Sequence, residues 1–311
     1  MIKANEKMFN EFWLFAFNRQ SVFYNKLNGI MPYSTDEILT TYKFCNTYRV
    51  LDRVSQFLIR EVINKSEGLT EEDIIFRVVF FKIFNLPSTW TILENEFGKM
   101  SLSNFNFDKL SHFLSELKIK QPIYNSAYIS CATKYFGYES KHDNHLALLK
   151  KMFFEDHLAE KLLKIKNMEQ AFKIMVSYPL IGNFMAYQLI TDLAYCEFIP
   201  WREDEFTVAG PGAQRGIKKC FVEFDNYEDV IKYAFKNQEQ YFLSLRLKFP
   251  YLANRKLQLI DIQNLFCEFD KYCRVAYPQI KSNRKKIKFK YSENKNKIEY
   301  CLPKKWQAKI S

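Results

Sequence analysis

Two features of the sequence have the makings of chemistry: a glycine-centred turn, Leu180-Ile181-Gly182-Asn183-Phe184, and a later acidic triplet, Glu203-Asp204-Glu205. Pro179 ends whatever helix precedes the turn. Beyond it, Phe184, Ala186, Tyr187, Leu189, Ile190 and Leu193 recur at helical spacing. A glycine turn leading into a helix leaves N–H groups without intrahelical partners at the positive end of the dipole, a seat for a phosphate. Such a seat reads no base sequence. Gly182 is expected to take the positive φ that other residues avoid. Asp204 lies 22 residues after Gly182 and can return beside the sugar of an anchored nucleotide. There a carboxylate stabilises the positive charge that builds as a base leaves deoxyribose, or activates water. Glu203 or Glu205 could take its place. The plain alternative is an ordinary helix–turn–helix followed by a solvated acidic loop.

Other residues could support that chemistry. The run Gly210-Pro211-Gly212-Ala213 opens a helix carrying Arg215 and Lys218, which could hold a phosphate or a sugar substituent, or could simply cap the helix. In the stretch 47–62, Val50, Val54, Phe57, Leu58 and Val62 make an apolar stripe, while Arg49, Arg53, Gln56 and Arg60 share another face. Arginines can hold phosphates and glutamine can read a base edge; pairing of Asp52 with Arg49 or Arg53 is the alternative. Gln56, Tyr187 and Trp201 are the candidates for contacting an extruded base. His142-Asp143-Asn144-His145, with His157 further on, offers metal-ligand types. The two histidines, however, fall at the front of a helix where Asp143 serves as a cap. No metal or other cofactor is expected.

The elements that must position these groups read as all-α. Residues 1–31 form aromatic helix, and Ile74 to Asn85 is apolar nearly all round and belongs at the centre of the core. Further helices are expected at 110–117, 123–136 (ended by Gly137), 146–166, 168–176, 227–236, 239–248 and 261–276. Residues 1–280 read as one helical domain, in one body or in two lobes with a cleft between them. The basic segment 281–311 reads as a small β-hairpin turning at Ser292–Asn296 or as a tail that hugs DNA.

Composition sets limits. The 311 residues carry 46 Lys and Arg against 35 Asp and Glu, a net charge of +11, which favours an acidic partner such as DNA. A lysine-rich, AT-biased genome would give a similar excess. No apolar run reaches the ~18–20 residues that span a bilayer, and the N-terminus with Glu6 and Glu11 is a poor signal peptide. Seven cysteines, scattered and without Cys-x-x-Cys, suit reduced thiols in a cytoplasmic protein, expected to be a monomer.

The hairpin glycine, the helix after it and the aspartate at this offset resemble the helix-hairpin-helix DNA glycosylases. In members that also cut the strand, a lysine two residues after the hairpin glycine attacks the sugar. That position is Phe184 here, so the resemblance implies a monofunctional enzyme leaving an abasic site, with Asp204 as its catalytic residue. Some members hold an iron–sulfur cluster on four closely spaced C-terminal cysteines. Cys267, Cys273 and Cys301 are too few and wrongly spaced for one.

Three segments, YRVLDRVSQFLI (48–59), FRVVFFKIFNLPSTW (76–90) and EDEFTVAGPGAQRGIKKCF (203–221), resemble a narrower family. This is the helical domain found with 5-hydroxymethyluracil DNA kinases and related enzymes of hypermodified thymine. The likeness implies double-stranded DNA with modified pyrimidines as partner, an extruded target nucleotide and, for bacterial members, attack on phage DNA. It leaves open excision of the base, a transferase that builds the modification, or a non-catalytic binding module. A kinase acting alone is excluded: no Gly-x-x-x-x-Gly-Lys-Ser/Thr run cradles a phosphate, and Gly210 to Lys218 lacks that spacing.

Overall fold

The computed structural model describes residues 1–126, 131–280, 286–287, 289–292 and 298–307. In chain order the helices are α1 (Glu6–Leu27), α2 (Glu37–Thr41), a 3-10 turn (Arg49–Leu51) and α3 (Arg53–Phe57), which runs on into a π-helical turn (Leu58–Ile63). Then come α4 (Glu71–Phe84), α5 (Pro87–Phe97), α6 (Phe107–Lys120), α7 (Lys141–Lys150), α8 (Leu158–Leu163), α9 (Met168–Val176) and α10 (Asn183–Leu193). The series closes with α11 (Pro211–Cys220), α12 (Tyr227–Ser244), α13 (Leu259–Ala276) and the short α14 (Lys304–Gln307). One small antiparallel pair joins β1 (Lys3–Ala4) to β2 (Phe221–Glu223). The protein is all-α, as its periodicity predicts.

The chain divides into two compact units. One is Met1–Asp52 with Phe206–Tyr300, and the other is Arg53–Glu205 with the chain from Cys301 onward. In the first, α1 buries Phe9, Phe12, Trp13 and Phe15, and Phe12 stacks on Phe266 of α13 at 4.2 Å. Helices α11 and α13 cross closely because α11 presents glycine. A Cβ at Gly212 would lie 2.2 Å from the Cys267 thiol, and one at Gly216 only 2.0 Å from the Phe266 carbonyl oxygen.

In the second unit, α4 is the centre. Every residue from Ile75 to Phe84 is buried, and each of its fully buried phenylalanines contributes about 1.5–3 kcal/mol. Thr70 and Asp73 form the capping box that starts it. Its two buried cations are neutralised locally: Arg77 by Glu94 at 2.5 Å and Lys82 by Asp192 of α10 at 2.8 Å.

One expectation needs correction. The described part of 123–136 is not helical, because tertiary bonds hold its backbone: Asn125 N–H donates to Phe84, its side chain donates to Asn85, and Ile123 accepts from Thr89. In the C-terminal segment, Lys290 makes an isolated antiparallel bridge with Tyr42, so the strand-like residues there pair with the α2 end. The expected turn at Ser292–Asn296 lies mostly outside the described residues.

Candidate nucleic-acid interface

The α9–α10 hairpin is built from its buried side outward. Tyr178 and Ile181 are buried and anchor the turn, whose backbone closes through Tyr178 N–H to Met175 and Ile181 N–H to Tyr178. The left-handed residue is Leu180, at φ 64, and not Gly182, which sits extended at φ −81 and ψ 169 as the cap of α10. A left-handed leucine costs about 1–2 kcal/mol, so the buried anchors on both sides impose this turn. Beyond Ile181 the chain breaks the surface: Gly182, Asn183 and Phe184 are all exposed, Phe184 at 41 %. A Cβ on Gly182 would meet nothing within 4 Å. Gly182 provides no capping side chain, and the first turn of this eleven-residue helix, at the positive end of its dipole, carries no acidic residue.

Asp204 belongs to the same unit and is partly exposed, at 28 %. Arg202 grips it with a two-pronged, charge-assisted fork: Nε donates at 3.0 Å and an Nη at 2.7 Å. Arg202 also reaches Glu205 at 3.5 Å, and its pKa is raised, first by the hydrogen bond to Asp204. Arg202 was not singled out from the sequence, although an arginine two residues before the acid was visible there. Of the possible substitutes, Glu203 is buried and Glu205 exposed; Asp204 is the one both oriented and reachable.

The remaining candidates separate. Arg53 is exposed at the start of α3, with Arg60 exposed further along. Gln56 is buried, and its amide is committed: Nε2 donates to the Cys301 carbonyl at 3.0 Å and Oε1 accepts from Cys301 N–H at 2.7 Å. Both ends of its amide thus face the Cys301 backbone. Tyr187 and Trp201 are in the core, at 1 % and 2 % exposure, and Trp201 Nε1 donates to Ile165 at 2.8 Å. Arg49, Arg215 and Lys218 belong to the other unit. Arg49 is buried in the 3-10 turn, with its N–H on Asp261 at 2.8 Å. Asp52 accepts Asn46 N–H at 2.8 Å, and burial pushes its pKa up to about 6.

Arg215 is likewise occupied. It donates to Asp270 at 3.1 Å, alongside Lys219 and Arg274, each at 2.5 Å. Lys218 is exposed, with its ammonium 5.9 Å from the Tyr227 ring. At the α11 start, Ala209 N–H donates to the Glu228 carboxylate at 2.9 Å, so a protein carboxylate already stands where an anion was expected. The histidines at the start of α7 are a polar network: Tyr124 OH to His145 Nδ1 at 2.7 Å, His145 Nε2 to the Cys131 carbonyl at 2.9 Å, and Ser115 to His142 at 2.9 Å. Among the described residues no group of three or more His, Cys, Asp and Glu could hold a metal ion.

Residues 6–282 match the family described as 5-hmdU DNA kinase, helical domain. The chain belongs to that family. It is also 23 % identical over 292 residues to the 5-hmdU DNA kinase of Bacillus phage SP10, an alignment covering 87 % of this chain and 45 % of the phage protein. The chain thus spans less than half the length of that relative. No solved structure matches.

The family match includes both the hairpin and Asp204, and it ends at 282. The chain end that Gln56 holds lies beyond it. No helix among the described residues is long and apolar enough to cross a membrane.

Proposed function

We propose that this protein is a monofunctional DNA glycosylase that excises a hydroxymethylated or further modified pyrimidine from double-stranded DNA. The single observation that carries this is the exposed tip Gly182–Phe184, at the N-terminal, positive end of α10, in the same compact unit as an oriented and solvent-reachable Asp204. The tip would seat a backbone phosphate, with Arg53 supplying charge to a neighbouring one. The target nucleotide would leave the stack so that its sugar lies beside the acid. As the bond to the base breaks, the Asp204 carboxylate stabilises the sugar cation and positions water. The Arg202 fork fixes its orientation. Phe184 has no amine to offer, so the product is an abasic site on an unbroken strand. Membership of a family named for 5-hmdU DNA supports a modified pyrimidine as the target, and modified phage DNA as its natural source.

The test is a duplex with one 5-hydroxymethyluracil and, in parallel, DNA of a phage with sugar-modified hydroxymethylcytosine. Wild-type protein should yield alkali-labile sites and a released base identified by mass. Asp204→Asn should release base at least about 100-fold more slowly while binding the same duplex. Turnover unchanged in Asp204→Asn removes the acid from the mechanism.

A second function is favoured by the family description and by the name of the phage relative: a domain that presents the hydroxymethyl group of an extruded nucleotide to a kinase. It predicts DNA binding without base release. In that case, labelled phosphate passes to the DNA only when a kinase domain is added with ATP.

A further inference from the structure

The unit that holds Asp204 is completed by a segment the chain contributes a hundred residues later. Between α10 and α11 the backbone runs from 194 to 210 without helix or strand. The Cys196 carbonyl accepts Ile199 N–H within the loop, but the carbonyls of Ile199 and Trp201 take a donor from outside it. Lys305 supplies that donor. Lys305 Nζ donates to the carbonyl of Ile199 at 3.3 Å and to that of Trp201 at 3.4 Å. One residue on, Trp306 is buried and meets Tyr195 edge-on at 6.0 Å. The same segment is tied at its other end by Gln56, which bonds both backbone groups of Cys301, and by Asn64 Nδ2, 3.6 Å from the Cys301 sulfur. Thus 301–306 is fastened to α3 and its π-helical turn at one end and to the loop before Asp204 at the other.

We infer that Lys305 is a positioning residue for Asp204: its ammonium fixes the 199–201 backbone, which ends three residues ahead of the acid. The physical reason is distance along the chain. Only Arg202 and Glu203 separate Trp201 from Asp204, so a loop that loses its hold on two carbonyls moves the carboxylate with it. A displacement of about 1 Å at a reacting group can cost about 100-fold in rate. The family match stops at 282, so this latch is a feature of the present chain beyond what the family describes. Its effect on base release rests on the glycosylase function proposed above; its effect on the loop does not.

The experiment compares full-length wild type, Lys305→Met and Lys305→Arg by hydrogen exchange read on peptides spanning 197–206. Lys305→Met should exchange roughly tenfold faster in that span with α4 unchanged, and Lys305→Arg should recover most of the protection. On the modified duplex, Lys305→Met should lower the single-turnover rate of base release about 10- to 100-fold, with DNA affinity within about twofold. Equal protection of 197–206 in wild type and Lys305→Met overturns the assignment. Faster exchange throughout α4 as well also overturns it, because the lysine would then serve general stability. If wild type releases no base, the glycosylase function fails, and the exchange comparison still decides the latch.

Discussion

At the start of α10, a Cβ added to Gly182 would meet nothing within 4 Å, whereas in α11 one added to Gly216 would lie 2.0 Å from the Phe266 carbonyl oxygen. Gly182 is at the surface, ahead of two exposed residues; Gly210, at the cap of α11, is buried. The cations near α11 converge on the buried Asp270 carboxylate, while the first turn of α10 carries no acidic residue at all. Two stretches of similar residue types therefore use glycine for opposite ends. One lets something large approach the backbone from outside, and the other lets a neighbouring helix approach from inside.

The largest effect should come from the α11 side. Asp270→Ala leaves three cations, two of them nearly buried, around an absent carboxylate, and should destabilise its unit by about 3–5 kcal/mol in urea denaturation. Arg215→Ala should likewise lower stability without changing the salt dependence of DNA binding. A flattened salt slope with stability intact would return Arg215 to the phosphate-binding set.

Next is Gly216→Ala. The obstruction is backbone, not a flexible side chain, so α11 and α13 must separate. We expect about 3 kcal/mol, or a fall of roughly 6–12 °C in Tm for a unit of this size. Gly212→Ala should cost less, since the atom in its way is the Cys267 thiol. Equal, small effects for both would mean the helices have slack, and the contrast with Gly182 would dissolve.

What could be read before folding follows from range. Hydrophobic period exposed α4 as the core and the α9–α10 hairpin as a hairpin, because those signals lie within about twenty residues. Gln56 reads as a base-contact candidate from local spacing alone, because its partner Cys301 is 245 residues away. Arg49 was grouped with Arg53 by helical spacing, yet the helix begins only at Arg53, and Asp261 fixes Arg49 from 212 residues off. The positive φ was assigned to glycine by intrinsic preference, and tertiary anchoring by Tyr178 and Ile181 moved it to Leu180. In each case a local rule was outweighed by a contact that sequence spacing does not record.

The two units should also differ in acid. Burial, then the charge of Lys141, pushes the His145 pKa down to about 4. A histidine lowered in the folded state gives stability that is full above its ordinary 6.5 and lost as pH falls from there toward 4, worth about 3 kcal/mol. In the other unit burial raises the Asp270 pKa, but hydrogen bonds from Lys219 and Arg274 outweigh it and leave it below the usual value. Its contribution is present above about pH 4 and fades only below. Asp52, raised to about 6, even favours that unit as protons are added, by an amount comparable to the His145 loss. Pulse proteolysis at pH 7, 5.5 and 4.5 should therefore show Arg53–Glu205 weakening first, and His145→Asn should remove most of that loss. Parallel weakening of both units would contradict the assignment of His145 as the responsible group.

The smallest change in stability should be the most telling for function. Aspartate is among the preferred residues at a helix cap and glycine ranks only slightly lower, so Gly182→Asp should raise stability by a few tenths of a kcal/mol. The extended φ and ψ suit any residue, and there is room for the side chain. Yet the new carboxylate would accept the N–H groups a phosphate needs and would place negative charge at the same spot. Affinity for duplex DNA should fall roughly tenfold at low salt, with the difference shrinking as salt rises. A substitution that strengthens the fold and weakens the complex cannot act through damage to the helix. If Gly182→Asp binds DNA as wild type does, the tip of α10 carries no phosphate, and the open glycine is only a turn.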